Sequence, residues 1–460
     1  MAKSKAYDNE SISSLKGADR VRLRPGVIFG SDDLVGCQHS FFEILSNSID
    51  EAREGFGNQI EVTRFRDGSI EVKDDGRGIP LDYNNKEERY NWELVYCELY
   101  AGGKYNNLIG DSYEFSLGIN GLGACATQYA SEYFDVTVFR DGFRFDLHFE
   151  KGENIGGLSK EPVRQKKTGT IQKWRPDRDV FTEIIIPLEY FQDMLKRQAV
   201  VNAGITFVLN DQESGETDKF YYPEGILGYV HELDQGKGIS TPVLFDGLGS
   251  GRDRKDKQEY KVKASIAFCF NNEINRLEYY HNSSWLEYGG SPDRAVRNAF
   301  VGEIDRQIRA LDKYKANESK ITFTDVQDSL ILVSSSFSTQ TSYENQTKKA
   351  INNRFIQTFI TDLLRSKLEV WFIENKAEGD KVIEQILINK RSRENAERQR
   401  LNIRKKLMGN IDMTNRVKKF VDCRTRDVDR RELYIVEGDS ALGSCKMGRD
   451  AEFQAIIPVR

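Results

Sequence analysis

The sequence is poor in the residues that build metal centres and covalent catalysts. It holds four histidines among 460 residues, none of them paired at a metal-ligand spacing. The six cysteines, Cys37, Cys97, Cys125, Cys269, Cys423 and Cys445, are scattered and form no Cys-x-x-Cys pair. That argues against a zinc site and a disulfide framework, and points to a reducing, cytoplasmic setting. Zinc hydrolysis and Ser-His chemistry therefore start at a disadvantage. No apolar run approaches the ~18 residues a membrane span needs, so no membrane partner is expected. Met1 to Leu15 is polar and lacks the apolar core of a signal peptide. Two phosphate-binding patterns are also absent. Gly102-Gly103-Lys104 lacks the first glycine and the Ser/Thr of a Walker A loop, and Gly118 to Gly123 does not match the dinucleotide fingerprint.

Charge is present in quantity but unevenly placed. The 67 Lys+Arg and 72 Asp+Glu give a net charge of −5. Between Lys390 and Arg431, however, 15 basic residues face 6 acidic ones, a local +9 that leaves −14 on the rest of the chain. A mostly acidic body with one basic stretch fits a local polyanion contact, and also a solvated helix face.

At roughly 150 residues per domain the length predicts two or three domains. The first region, to about Tyr222, mixes helical and strand patterns. Phe42, Leu45, Ile49 and Ala52 recur at helical spacing within Gln38 to Glu54. Gln59 to Phe65 and Ser69 to Lys73 alternate as strands around the turn signal Arg66-Asp67-Gly68. Phe134 to Arg140, Phe143 to Phe149, Gly169 to Trp174 and Ile205 to Asn210 read as further strands. A helix with antiparallel hairpins in mixed order predicts an α+β sandwich rather than a doubly wound sheet. A second region opens near Pro223, with strands at Tyr260 to Asn271 and Leu330 to Ser336. Its helices are expected at Ser291 to Tyr314 and Asn345 to Glu374, and Asp246 to Lys257 reads as an exposed Gly-rich loop. A basic helical segment follows from Asp380 to Leu407. The apolar run Leu433 to Val436 then leads into an acidic turn, Glu437-Gly438-Asp439-Ser440. A domain of about 30 residues cannot stand alone, so this end reads as the beginning of a third domain in a cut chain.

Five elements carry possible chemistry. Glu43, Asn47 and Asp50 sit at i, i+4 and i+7 of one helix, opposite its apolar stripe. They form either a solvated face or a carboxylate and an amide oxygen offered to a nucleotide and its Mg²⁺. Asp74-Asp75-Gly76-Arg77-Gly78-Ile79-Pro80 places a carboxylate at a strand end, able to accept from an adenine amino group, before glycines that let a backbone approach. The tract Ala101-Gly102-Gly103-Lys104-Tyr105 and then Gly118-Ile119-Asn120-Gly121-Leu122-Gly123-Ala124 can offer backbone N–H groups to phosphates, with Ala124 to Ala130 as a following helix. Lys167-Thr168-Gly169-Thr170 offers a hydroxyl before a strand. Gln346-Thr347-Lys348 falls at the predicted start of a long helix, where a lysine gains nothing from the macrodipole and a bound anion would explain it.

Together and in this order the elements resemble the ATPase superfamily of gyrase, heat-shock chaperones, histidine kinases and MutL. Within it the chain resembles the B subunit of bacterial type IIA topoisomerases. Arg24-Pro25-Gly26, Asn47 to Ala52, Asp74 to Pro80, Ala101 to Lys104, Gln346 to Lys348 and Glu437 to Ala441 carry the resemblance across nearly the whole chain. It implies an ATPase α/β sandwich with an N-terminal dimerisation arm over residues 1–222. A transducer resembling ribosomal protein S5 would span 223–405, and a linker with the start of a topoisomerase–primase (TOPRIM) domain 406–460.

The resemblance also implies roles. Glu43 would orient and deprotonate the attacking water, Asn47 would hold Mg²⁺, and Asp50 would belong to the same nucleotide face. Asp74 would read the adenine amino group with Thr168 beside it, and Arg77, Gly78 and Pro80 would line the base pocket. Gly102, Gly103, Lys104, Gly118, Asn120, Gly121, Leu122 and Gly123 would wrap the phosphates as a lid. Gln346 and Lys348 would reach the γ-phosphate, with Lys348 acting in catalysis. Tyr7 would cross to a partner's nucleotide site. Glu437 would be a metal ligand of an incomplete DNA-cleavage site. ATP and Mg²⁺ are the implied cofactors. Double-stranded DNA, a second copy of the chain on ATP binding, and an A-type subunit in an A2B2 assembly are the implied partners. The competing readings are an ATP-binding clamp that scarcely hydrolyses and a MutL-type repair ATPase. Leu117 and Asn120 stand where the family usually has a lid glycine and a histidine, and Leu442 replaces a glycine, which marks a divergent member.

Overall fold

The computed structural model describes residues 14–102, 121–164, 167–344, 348–409 and 419–459, without the side chains of 405–409. Two compact units divide at Asn389 and Lys390.

The first unit is built on helix α1 (Leu34–Arg53), started by Asp33, whose carboxylate accepts from the Val35 amide at 2.9 Å. Its apolar stripe of Phe41, Ile44, Leu45 and Ile49 is fully buried. It packs against an eight-stranded sheet of β1 (Gln59–Arg64), β2 (Ile70–Asp74), β3 (Ser131–Arg140), β4 (Phe143–Glu150), β5 (Glu153–Pro162), β6 (Gly169–Pro176), β7 (Thr206–Asp211) and β8 (Thr217–Phe220). The order is β8-β7-β1-β2-β6-β3-β4-β5. Only β1 and β7 run parallel; the other neighbours are antiparallel. The α+β sandwich read from the sequence is therefore the observed architecture. Alternation does the sorting: Ile60 and Val62 of β1, and Phe134, Val136 and Val138 of β3, point into the core while their neighbours face outward. Helices α2 (Gly123–Tyr129) and α3 (Leu188–Val201) complete this layer.

A second sheet in the same unit has the order β9-β10-β13-β11-β12, from β9 (Val243–Gly251), β10 (Tyr260–Phe270), β11 (Arg276–His281), β12 (Ser284–Trp285) and β13 (Leu330–Ser338). One face carries helices α4 (Ser291–Ala310) and α5 (Arg354–Glu374). The other contributes Ala267, Cys269, Tyr280, Ile331 and Val333 to a core shared with Val200 and Val201 of α3. The two sheets are thus joined by apolar packing through α3.

Three sequence expectations change here. Residues 246–251 belong to strand β9 rather than to an exposed loop. Its alternate glycines make room for α5: a Cβ on Gly249 would lie 2.6 Å from the Phe359 ring, and one on Gly247 2.8 Å from Leu363. The long helix begins at Arg354, not at residue 345. Ahead of it Ile351 bridges to Gly290 and Tyr343, and Lys348 takes a left-handed φ of 59°, so that Lys348 is not at a helix start. Chain geometry, not a macrodipole, has to explain that lysine.

Helix α6 (Lys376–Gly409) spans the division between the units. The second unit also contains parallel strands β14 (Glu432–Glu437) and β15 (Gln454–Val459), joined through helix α7 (Gly438–Gly448). The acidic segment after Glu437 is therefore the opening of a helix instead of a turn. Among the described residues, no helix is long and apolar enough to cross a membrane.

Candidate nucleotide site

Helix α1 projects one flank into a cavity of about 370 Å³. Glu43, Asn47, Ser48 and Glu51 form that wall, and Asp74, Arg77, Gly78 and Pro80 form the next. Gly102 with Gly121, Leu122 and Gly123 closes a third side, and Lys348 comes from the distant loop before α5. Eleven of the residues named from the sequence therefore meet in one place. Tyr7, Gly103, Lys104, Gly118, Asn120 and Gln346 lie outside the described residues.

Glu43 is the most constrained of the group. It is buried, with Lys348 Nζ 3.2 Å and His39 Nε2 3.3 Å from the same carboxylate oxygen. Burial works against its charge, but Lys348 and His39 outweigh burial and hold the carboxyl well below the usual carboxylate range. Gly123 packs directly on this carboxylate; a Cβ there would collide with Glu43 Oε2. Asn47 lines the cavity with its amide anchored, Nδ2 donating to the Glu43 carbonyl at 3.1 Å.

Asp74 closes the far end of the cavity. It accepts from Ser48 Oγ at 2.7 Å, the Gly76 amide at 3.1 Å and the Thr170 amide at 3.2 Å. Burial nevertheless pushes its carboxyl up, the three donors opposing this only in part. Arg77 is held by Glu51, with contacts of 2.7 and 2.9 Å from Nε and a terminal nitrogen, and its guanidinium lies 3.6 Å over the Phe56 ring. Arg140 donates to the Gly78 carbonyl at 2.7 Å, which ties the glycine turn to the end of β3.

Two expected site residues are elsewhere. Asp50 is buried but does not line the cavity. At ~100° per residue, Asn47 and Glu51 fall ~40° and ~80° to one side of Glu43, while Asp50 falls ~20° to the other. The cavity lies on the Asn47 side; Asp50 acts electrostatically on the half-buried Arg53 and on Tyr343. Thr168 is exposed, and Thr170 lines the cavity in its place. Gly169, with φ of 138°, turns the chain into β6, so inward alternation begins at Thr170 and continues at Gln172. Sequence reading also missed Glu51, Arg140 and Gln172 as wall residues. Gln172 follows by alternation once Thr170 is placed, and Glu51 by its helical flank. Arg140 has no local signal, because only the β3–β6 pairing brings it to Gly78.

Glu437 sits where β14 enters α7, and it is exposed. Nearby Asp439 pairs with Lys419. Among the described residues no three His, Cys, Asp or Glu side chains come together as a metal site.

A family model described as DNA gyrase B matches residues 225–402. The DNA gyrase B protein of Mycoplasma genitalium is 34% identical over the whole of this chain, which spans 71% of that protein. The chain belongs to the DNA gyrase B family. Solved relatives of this family agree in fold. The 43K ATPase domain of Thermus thermophilus gyrase B, in complex with an aminocoumarin, superposes with a TM-score of 0.64 at 25% identity, covering 84% of this chain and 98% of that one. The topoisomerase IV ATP-binding domain of Francisella tularensis, in complex with a small-molecule inhibitor, gives 0.64 and 25%, covering 82% and 98%. The residues that line the cavity include several of those on which the sequence resemblance rests.

Proposed function

We propose that this chain binds ATP in the α1 cavity and hydrolyses it, as the ATPase and transducer portion of a type II topoisomerase of the gyrase B kind. The observation that carries the reading is the convergence of Glu43, Asp74 and Lys348 on one cavity from three separate parts of the chain. Asp74 accepts the adenine amino hydrogen, and Thr170 supports it from β6. Arg77, Gly78 and Pro80 line the base pocket. Gly102, Gly121, Leu122 and Gly123 flank the phosphates, and Lys348 meets the terminal one.

Phosphoryl transfer to water needs positioning and charge neutralisation more than covalent help. Glu43 is ionised, so it accepts a hydrogen bond from the attacking water and aligns it. A carboxylate is far too weak to deprotonate water beforehand, so the proton arrives late, as the bond to phosphorus forms. Asn47 fits a phosphate-borne Mg²⁺: it offers a neutral oxygen donor, and its amide is already anchored to the helix. Bound there, the ion would neutralise phosphate charge.

The wider cycle is part of the same proposal. ATP binding brings two copies together, with Tyr7 and the lid residues Gly103, Lys104, Gly118 and Asn120 completing the site and Gln346 joining Lys348. The closed pair captures a DNA duplex and passes it with an A-type subunit. The ATPase region occupies 1–222, the transducer 223–405, and the linker with the start of a metal-dependent DNA-cleavage domain 406–460, to which Glu437 contributes a ligand. Single-turnover hydrolysis of radiolabelled ATP with Mg²⁺, read alongside the dimer fraction formed with a non-hydrolysable analogue, tests the proposal. Tight binding and dimerisation without turnover would leave a nucleotide-dependent clamp instead.

A further inference from the structure

Strands β11 and β12 are joined by a two-residue turn, Asn282-Ser283, with φ of 45° and 60°. Such left-handed pairs form the tight hairpin turns that normally face water. This one does not. His281, Asn282, Ser283 and Ser284 are all buried. A buried turn has to satisfy its polar groups within the protein, and here the partners lie in two directions.

Toward the first sheet layer, Gln198 Nε2 on α3 donates to the Ser283 carbonyl at 3.0 Å, and Ser283 Oγ donates to Asn202 Oδ1 at 2.8 Å. Toward the second sheet, the Asn282 amide donates to the Ser336 carbonyl at 2.8 Å, and Asn282 Oδ1 accepts from the Ser338 amide at 3.0 Å. His281 Nδ1 lies 2.8 Å from Ser336 Oγ; its Nε2 lies 3.0 Å from Ser338 Oγ and 2.9 Å from Thr341 Oγ1. Asn282 Nδ2 donates to the same Thr341 hydroxyl at 3.2 Å. Burial lowers the imidazole pKa to about 3, so the ring is neutral and offers one donor and one acceptor.

Thr341 is the root of the loop that delivers Lys348. The loop is closed by Ser342 N to Asn353 Oδ1 at 2.7 Å, Asn352 N to Ser342 O at 3.1 Å and Glu344 N to Ala350 O at 3.0 Å. Tyr343, two residues on from Thr341, stacks edge-on against His281 with ring centres 6.3 Å apart. Lys348 holds a left-handed backbone, a conformation that costs a non-glycine residue free energy and persists only where its surroundings impose it.

We propose that the buried turn is the joint that positions Lys348, with His281 and Asn282 gripping Thr341 on one side and Ser283 gripping α3 on the other. His281 is thus a positioning residue for the γ-phosphate contact, and the joint transmits any shift of α3 to the lysine. This rests on the reading of the cavity as an ATP site with Lys348 at the terminal phosphate.

The two nitrogens of His281 allow a discriminating experiment on the full chain. Glutamine reaches the Nε2 position and keeps the Thr341 contact; asparagine reaches only the Nδ1 position. Dissociation constants for a non-hydrolysable ATP analogue and for ADP are measured for His281→Gln, His281→Asn, Thr341→Val and Lys348→Ala. His281→Asn and Thr341→Val are expected to cut the preference for triphosphate about tenfold, as for one lost buried hydrogen bond, with ADP binding unchanged. His281→Gln should stay near the parent. Should His281→Asn fail to fold, Thr341→Val, close to isosteric, carries the test. Equal loss in the Asn and Gln variants, or equal weakening of both nucleotides, overturns the proposal. If Lys348→Ala lowers the preference while Thr341→Val and His281→Asn do not, the joint is wrong and the site stands. If Lys348→Ala changes nothing, the site reading fails and takes the joint with it.

Discussion

Lys348 Nζ lies 3.2 Å from Glu43 Oε1, across 305 positions of sequence. Both side chains are buried, so the ion pair is poorly screened and Lys348 helps hold Glu43 ionised. A triphosphate entering the cavity would compete with Glu43 for the same ammonium group. On the proposed reading, the pair would therefore couple nucleotide occupancy to the two regions that supply its halves.

Replacing Lys348 by alanine separates two effects. Binding of a non-hydrolysable ATP analogue should weaken while ADP binding changes little, because only the terminal phosphate loses its partner. The pH dependence should shift as well. In the parent, Glu43 has a depressed pKa, so its ionised form contributes stability above the unfolded carboxyl value of ~4.3 and loses it as pH falls through the lower folded value. Without Lys348, burial is opposed by His39 with less help, and the Glu43 pKa rises. The acid limb of single-turnover hydrolysis should move upward in pH. An acid limb identical to the parent's would show that Lys348 does not govern Glu43.

Glu43→Ala should retain ATP binding and lose hydrolysis by roughly 10²–10⁴-fold, the range for a general base. Equilibrium binding and single-turnover hydrolysis on the same preparation make the comparison. Undiminished turnover would remove Glu43 from the reaction.

Asp74→Asn should weaken adenine nucleotides by roughly 10–100-fold, in line with losing a hydrogen bond to a charged acceptor. The amide NH₂ would also face existing donors: Ser48 Oγ if it takes the Oδ2 position, or the Gly76 and Thr170 amides if it takes the Oδ1 position. Because burial raises the Asp74 pKa, parent affinity should fall on acidification at a pH above the ordinary ~3.9, as the acceptor gains its proton. Calorimetric titration across pH checks both statements. Affinity in the variant equal to the parent's would mean that the base is read elsewhere.

The correction at β6 is tested by a pair of substitutions. Thr170→Val should weaken nucleotide binding, since Thr170 Oγ1 accepts from the Ile79 amide at 3.3 Å and lines the cavity. Thr168→Val, at an exposed position before the strand, should leave affinity at the parent level. The reverse ranking would restore the hydroxyl read first from the sequence.

These residues also show what was legible beforehand. Glu43, Asn47 and Asp74 were readable because helical spacing and a strand-end carboxylate are local signals. Asp50 misled because a helical projection gives angles but not the side on which the cavity opens. Thr168 misled because one backbone rotation at Gly169 decides which threonine turns inward. The β9 strand was hidden by glycines, which read as a loop until the α5 rings that fill their place are known. Lys348 was found by motif but placed on the wrong element. Its loop is fixed by a bridge from Ile351 to the distant Gly290 and by closures among its own residues, Tyr343 to Ile351 and Ser342 to Asn353, and none of these follows from helical or strand periodicity.

The basic stretch supplies the last prediction. Arg398, Arg400 and Arg404 are exposed on α6, in the segment with the local excess of positive charge. If that segment meets the captured duplex, each phosphate contact releases condensed counterions and steepens the salt dependence by about 0.9 in log–log slope. DNA-stimulated ATP hydrolysis should then fall steeply with added salt. Replacing all three arginines by glutamine should lower the slope by about 2–3 while leaving hydrolysis without DNA unchanged, because none of the three lines the nucleotide cavity. A slope unaffected by the substitutions would return this stretch to the status of a solvated helix face.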